Sequence, residues 1–216
     1  VAQSPLERSF QKHVLSRLLD DGMRGVEPLR DELLRDVGGR VLEIGFGTGA
    51  NLPYYRGRTD GMTELVAIEP AEGLAELAQE RLEAWSSRTG VKARIEVASG
   101  TRPLPLPDAS FDAVVITFVL CSVRNPDAML AEARRVLARD GRLVIAEHVA
   151  APAGVKRTAQ RLVRPAWKAL LGGCDPLTDA RTSLERAGFD TSELVDRRLE
   201  LPWVVSSGLV GRARLG

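Results

Sequence analysis

The chain is short of the residues that build several kinds of site. Its 216 residues include two cysteines, Cys121 and Cys174, and two histidines, His13 and His148. Two thiols cannot make a disulfide framework, so the sequence predicts a reduced, cytoplasmic protein in which both are small buried residues. With only two imidazoles a His-based metal site is not expected, and no metal is predicted. Thirty basic residues nearly cancel 29 acidic ones, leaving a net charge of +1. That balance predicts no nucleic-acid partner. The longest apolar run, Val114 to Val123, is broken by Thr117 and Ser122 and is too short to span a bilayer. No signal peptide is expected. The remainder, 44% hydrophobic and 27% charged, fits a single domain over residues 1–216 and leaves the oligomeric state open.

Glycine is concentrated where it matters. In VLEIGFGTGANL, from Val41 to Leu52, a short apolar run suited to a buried strand leads into Gly45, Gly47 and Gly49. Asn51-Leu52-Pro53 then open a helix or helical turn. Glycine permits backbone angles closed to other residues and lets the main chain approach a ligand. Between a strand and a helix start, such a loop cradles a nucleoside-like ligand at the carboxyl edge of a sheet. The dinucleotide fingerprint G-x-G-x-x-G fails here, because a reading from Gly47 ends on Leu52. A nicotinamide oxidoreductase is therefore disfavoured. Glu43 precedes the loop and could pair with a ligand ammonium or accept N–H bonds inside the loop.

This E-x-G-x-G-x-G pattern resembles the first motif of the class I S-adenosylmethionine-dependent methyltransferases. The resemblance implies S-adenosyl-L-methionine as cofactor, S-adenosyl-L-homocysteine as product, and a Rossmann-like fold. Glu43, Gly45, Phe46, Gly47, Gly49 and Asn51 would then surround the cofactor's amino acid part. Leu65 to Ile68 reads as a second strand ending in Glu69-Pro70. An acid at that position can accept both hydroxyls of a ribose, or can merely sit near a helix start. LPLPDASFD, Leu104 to Asp112, resembles a loop that lies over the adenine in small-molecule members. Where many of those carry Asp before it, this chain has Gly100, which leaves Gly100 and Thr101 as the adenine contacts.

Helices are expected over residues 4–37, with Leu6, Phe10, Val14, Leu18 and Leu19 on one apolar face and Leu29, Leu33, Leu34 and Val37 on another. These are read as N-terminal helices over the pocket, with His13 on a helix packed over the sheet edge. A helix from Leu74 to Ser86, a third strand Val91 to Val97 and a fourth from Ala113 to Leu120 follow. Phe118, Leu120 and Cys121 then fall at the reaction face. A helix from Pro126 to Ala138, closed by Arg139-Asp140-Gly141, leads to a fifth strand, Leu143 to Ala146, which delivers Glu147 and His148 to the same edge. Two late strands, Glu193 to Leu199 and Ser206 to Arg214, complete the expected class. It is α/β, a doubly wound and mostly parallel seven-stranded sheet with an antiparallel edge hairpin.

Residues 152–172 carry Lys156, Arg157, Arg161, Arg164 and Lys168 with no acid. Val155, Ala159, Leu162, Ala166, Trp167 and Leu170 recur among them at helical spacing. They read as the helix of a lid insertion, 152–180, that packs its apolar side over the pocket; the alternative is peripheral contact with an anionic membrane. VLCSVRNPDAMLAEARRVLARDGRLVIAEHVA at Val119 to Ala150, Gly173-Cys174, and LERAGF at Leu184 to Phe189 resemble the methyltransferase-like thiol methyltransferase branch, itself related to quinone and phospholipid methylating enzymes. The resemblance implies a small-molecule acceptor, possibly a thiol, with lipids, quinone precursors and phenols as alternatives. His148 is the candidate base, its alternative a pocket-lining histidine. His13, Tyr54, Cys121 and Trp167 are the candidate acceptor contacts. A non-catalytic protein of membrane surfaces is the rival from another class.

Overall fold

In the computed structural model, which describes residues 3–56 and 61–216, the glycine-rich stretch sits at the centre of one mixed sheet. Strands β1 (Gly39–Ile44), β2 (Met62–Ile68), β3 (Lys92–Glu96), β4 (Phe111–Thr117) and β5 (Leu137–His148) run parallel in the order β3-β2-β1-β4-β5. The later strands are β6 (Phe189–Asp190), β7 (Leu194–Arg198) and β8 (Ser207–Leu215). Strand β8 lies antiparallel to β5 and carries both β7 and the two-residue β6 on its other side. The eighth strand is that short β6, too brief to leave a period in the sequence.

Because side chains alternate across a strand, the apolar runs fill two cores. Leu42, Ile44, Val66, Ile68, Val114, Ile116, Leu143 and Ile145 face one side, where helices α5 (Pro126–Val136) and α7 (Ala180–Arg186) supply Leu130, Ala133 and Leu184. Val41, Leu65, Val115, Val144 and Ala146 face the other, covered by α3 (Glu27–Leu34) and α4 (Glu72–Thr89) through Leu33, Leu34, Ala78, Leu82 and Trp85. Continuous burial of Val41–Ile44, Ala113–Ile116 and Leu143–His148 is what a parallel sheet sandwiched by helices requires.

Several boundaries moved for local reasons. Strand β4 stops at Thr117 because Phe118 takes a φ of +58°, which a ladder cannot continue. Helix α5 ends at Val136, where Ser110 N–H donates to its carbonyl and Leu137 turns extended. Arg139-Asp140-Gly141 therefore fall within β5 rather than closing the helix. Helix α4 extends to Thr89 and stops at Gly90, φ +69°, a left-handed cap.

The N-terminal helices α1 (Pro5–Phe10) and α2 (Ser16–Gly22), joined by a π-helical turn over Gln11–Leu15, correct the expected packing. Leu6, Phe10, Val14 and Leu18 are exposed, and Gln11 and Ser16 are buried instead. The polar side docks on α4: Gln11 Oε1 accepts from Gly73 N–H at 3.1 Å and Arg8 pairs with Glu72 at 3.1 Å. A Cβ on Gly73 would lie 2.3 Å from the Arg8 carbonyl, so only glycine permits that approach. The 152–172 helix is α6 (Val155–Leu170). It turns Gln160 and Trp167 inward and leaves Val155, Leu162 and Leu170 about 80% exposed, contrary to the expected apolar cover. Its polar groups make the attachment: Gln160 donates to the Val204 carbonyl at 2.9 Å and Lys156 bonds Ser206 and Ser207 at 2.8 Å.

Candidate active site

The carboxyl ends of β1, β4 and β5 open onto a cavity of about 390 Å³. Gly45, Gly47 and Gly49 all have φ between +58° and +78°. A Cβ at Gly47 would meet no atom within 4 Å; the open space in front of it is cavity, the geometry a loop needs to cradle a ligand. Glu69 holds this loop. Its carboxylate accepts from Gly47 N–H at 2.7 Å and Ala71 N–H at 2.8 Å. Burial nonetheless raises its pKa, with those two N–H bonds opposing.

Beneath the loop lies a closed polar network. Glu43 accepts from Asn51 Nδ2 at 2.8 Å and from the Tyr55 hydroxyl at 2.7 Å; Asn51 also donates to Thr117 and accepts from Arg30. Burial raises Glu43 to about 7 despite these bonds and the nearby Arg30 charge. Burial likewise lowers Arg30, whose guanidinium lies 5.6 Å from the centre of the Phe118 ring. Phe118, one of two non-glycine residues at positive φ among those described, lines the cavity, the kind of place where backbone strain collects.

The same cavity is lined by Cys121, His148, Trp167 and Cys174. His148 Nε2 is 3.0 Å from Cys174 Sγ, and Trp167 Nε1 donates to that sulfur at 3.4 Å. The Cys121 thiol pushes Cys174 down from the ordinary thiol range, burial opposes, and His148 adds to the lowering. Cys121 is pushed up by Cys174 and by burial. Burial alone would lower His148; the Cys174 sulfur outweighs it and the net direction is up. Glu147, beside it, is raised to about 7 by burial, although its Oε1 accepts from Val119 N–H at 2.6 Å and Leu120 N–H at 2.8 Å.

Of the residues singled out in the sequence, Glu43, Gly45, Phe46, Gly47, Phe118, Cys121, His148 and Trp167 line this one cavity. Gly49, Asn51 and Glu69 stand just behind it as supports. Leu120, Gly100 and Thr101 lie off the cavity wall; Gly100 is packed against Ile44 and Met129. Pro70 and His13 are exposed. Tyr54 faces a neighbouring depression with Glu27 and Arg30. Arg30, Thr117 and the place of Cys174 in the cavity were not foreseen, and Tyr55, expected only as an aromatic near the ligand, bonds Glu43. A lone arginine between Leu29 and Leu33, on a face otherwise apolar, was the signal for Arg30.

Comparison with known proteins agrees with this geometry. The family described as "Methyltransferase domain" matches residues 42–145. The chain is 30% identical over 219 residues to thiol S-methyltransferase TMT1B of Homo sapiens, covering 97% of this chain and 87% of that protein. The chain belongs to the S-adenosylmethionine-dependent methyltransferases. The methyltransferase is also 32% identical over 162 residues to demethylmenaquinone methyltransferase of Thermus thermophilus, covering 74% of this chain and 71% of that one. Its fold matches that of an S-adenosylmethionine-dependent methyltransferase from Mesorhizobium loti, with a TM-score of 0.64 at 20% identity over 90% of this chain and 99% of the other. The cofactor of this methyltransferase is thus S-adenosylmethionine, and the glycine loop, with its open space at Gly47, fits it.

Proposed function

We propose that this methyltransferase acts on a small-molecule thiol. The observation that carries the reading is the Cys121–His148–Cys174 group on the lining of the cavity that the glycine loop shares, and the name of the TMT1B relatives supports it. Bound S-adenosylmethionine supplies a sulfonium methyl that a nucleophile takes by in-line displacement. The chain has to place the acceptor and keep water out. The Gly45–Gly49 loop and Glu69 hold the adenosyl end, with Glu43, Asn51 and Arg30 setting the floor under the amino acid part. Phe118 and Trp167 supply aromatic surface near the cation, a contact of about 1 kcal/mol or more when desolvated. His148 marks the place where the acceptor loses its proton.

The test is a labelled-methyl screen over alkyl and aryl thiols, phenols, quinone precursors and phosphatidylethanolamine, run beside calorimetry with S-adenosylhomocysteine. Preferential labelling of thiols is expected. Labelling of phenols or quinone precursors alone would overturn the thiol reading, and absence of cofactor binding would overturn the site.

The surroundings support a second proposal about access. Residues between Leu18 and Arg30 border the cavity, and the 152–180 segment acts as a lid whose Trp167 and Leu171 reach the lining. Leu6, Phe10, Leu18, Leu162 and Leu170 are more than half exposed, and Arg161 on the same helix is exposed. Such a rim suits peripheral contact with an anionic membrane from which an apolar acceptor enters. Among the described residues no helix is long and apolar enough to cross a membrane. The free thiols of Cys121 and Cys174 favour a reducing compartment such as the cytoplasm. Co-sedimentation with anionic but not neutral vesicles is expected, and is lost in Leu162→Ser/Leu170→Ser if α6 makes the contact.

A further inference from the structure

We propose that Cys121, His148 and Cys174 form a site for a zinc-like divalent ion whose fourth position is open to the acceptor thiol. One ligand atom from each lies within 4.8 Å of the other two. They come from separate places: the turn after β4, the last residue of β5 and the loop after α6. Their sequence spacing resembles no finger or ribbon, and the fold alone assembles them. Zinc takes sulfur at about 2.3 Å and imidazole nitrogen at about 2.0 Å, which puts tetrahedral neighbours about 3.4–3.8 Å apart. His148 Nε2 and Cys174 Sγ, now 3.0 Å apart, need to separate by roughly half an ångström to reach that spacing. A His-based site was unexpected from two histidines, but two thiolates and one imidazole need only one.

The three ligands are braced. Asp175 N–H donates to the Cys121 carbonyl at 2.7 Å, tying the loop of one ligand to the turn of another. Arg164 and Lys168 grip the Asp175 carboxylate at 2.6 and 3.0 Å. The Trp167 indole N–H points at Cys174 Sγ, an outer partner of the kind that orients a metal ligand. Gly172 and Gly173, at φ +60° and +90°, turn the chain so that Cys174 faces the cavity. Three protein ligands and one open position distinguish catalytic zinc sites from closed structural ones.

The role of the ion rests on the thiol reading above. On metal binding, Cys121 and the hydrogen-bonded Cys174–His148 pair each release one proton to solvent, and both sulfurs donate a lone pair. The acceptor R–SH takes the fourth position, loses its proton to water and is held as a thiolate. Its sulfur lone pair then forms the S–CH3 bond while the methyl carbon's bond to the sulfonium breaks, and that electron pair stays on the departing sulfur. The neutral thioether R–S–CH3 is a poor ligand and leaves. Nothing is oxidised or reduced. His148 then acts through the ion it holds, instead of as a free base.

The full chain, purified reduced and without chelator, is expected to carry about one zinc by elemental analysis. Its cobalt-substituted form is expected to show sulfur-to-metal charge-transfer absorption, with visible bands that shift when ethanethiol is added. Cys174→Ala and Cys121→Ala should weaken metal binding by more than the ~10–100-fold typical of an outer-shell change. Calorimetry with S-adenosylhomocysteine on the same samples reports whether each variant is folded. A wild-type protein that binds S-adenosylhomocysteine but holds neither zinc nor cobalt would overturn the site, as would a Cys121–Cys174 disulfide in place of metal under mild reductant. Metal without a thiol-dependent band shift would overturn the open position. Metal and band shift, with no thiol methylated in the screen, would sustain the site and refute the thiol reading instead.

Discussion

The two walls of the cavity are built in different ways. The glycine wall, from Gly45 to Gly49 with Glu69 behind it, is mostly main chain fixed by one carboxylate. The cysteine–histidine wall is side chains, with Cys121, His148, Trp167 and Cys174 brought in from three elements and the loops after them. A wall of backbone recognises a ligand that never changes, whereas a wall of side chains can be re-cut for each new acceptor. That is how one fold comes to serve thiol and demethylmenaquinone methylation among this chain's relatives.

The contrast is open to direct attack. His148→Ala should cost thiol methylation about 10²–10⁴-fold while S-adenosylhomocysteine affinity, read by calorimetry, stays within a few-fold. Equal loss of both would erase the division between the walls. Glu69→Ala should do the reverse. Removing the acceptor of the Gly47 N–H in the loop and of the Ala71 N–H before α4 should weaken S-adenosylhomocysteine binding by about 10–100-fold, the size of the ~1.5–3 kcal/mol of a charged hydrogen bond, at a fixed pH profile.

A subtler probe is Glu43→Gln. The Glu43 carboxyl, raised by burial to about 7 from an ordinary 4.5, binds its proton more tightly in the folded chain. Its contribution to stability is therefore full below about pH 4.5 and is lost as pH rises through about 7. The variant should flatten the pH dependence of the urea midpoint across that window; an unchanged slope would show that Glu43 does not titrate there. Smallest is Asp175→Asn. Its partners Arg164 and Lys168 are nearly half exposed, so stability should fall by about 1 kcal/mol or less. A modest rise in KM for the thiol is expected as Cys174 loosens, with KM for S-adenosylmethionine unchanged.

What could be read in advance follows the same division. Strands β1, β2 and β4, the glycine loop and Glu69 announce themselves because short apolar runs ending in glycine or acid are local patterns. The exposed Leu6–Leu18 stripe misled because helical periodicity reports amphipathicity without saying which side is covered, and Gln11 and Arg8 found better partners on α4. Arg30, Tyr55 and Cys174 acquire meaning only from neighbours distant in sequence, as in the bond from Tyr55 to Glu43. No spacing rule encodes such meetings. Glu147 was seen arriving at the right edge, yet its grip on two main-chain N–H groups of the next turn was invisible.

That grip has a consequence for how far apart the glycine loop and the turn can sit. The turn held by Glu147 presses Val119 against Gly45 so tightly that a Cβ there would fall 2.4 Å from Val119 Cγ2. The spacing between the glycine loop and the turn after β4 is thus gauged by the sheet itself, as by a feeler blade between β1 and β4. Enlarging residue 45 by one carbon would reset the gauge and push loop and turn apart, even with every chemical group still in its place.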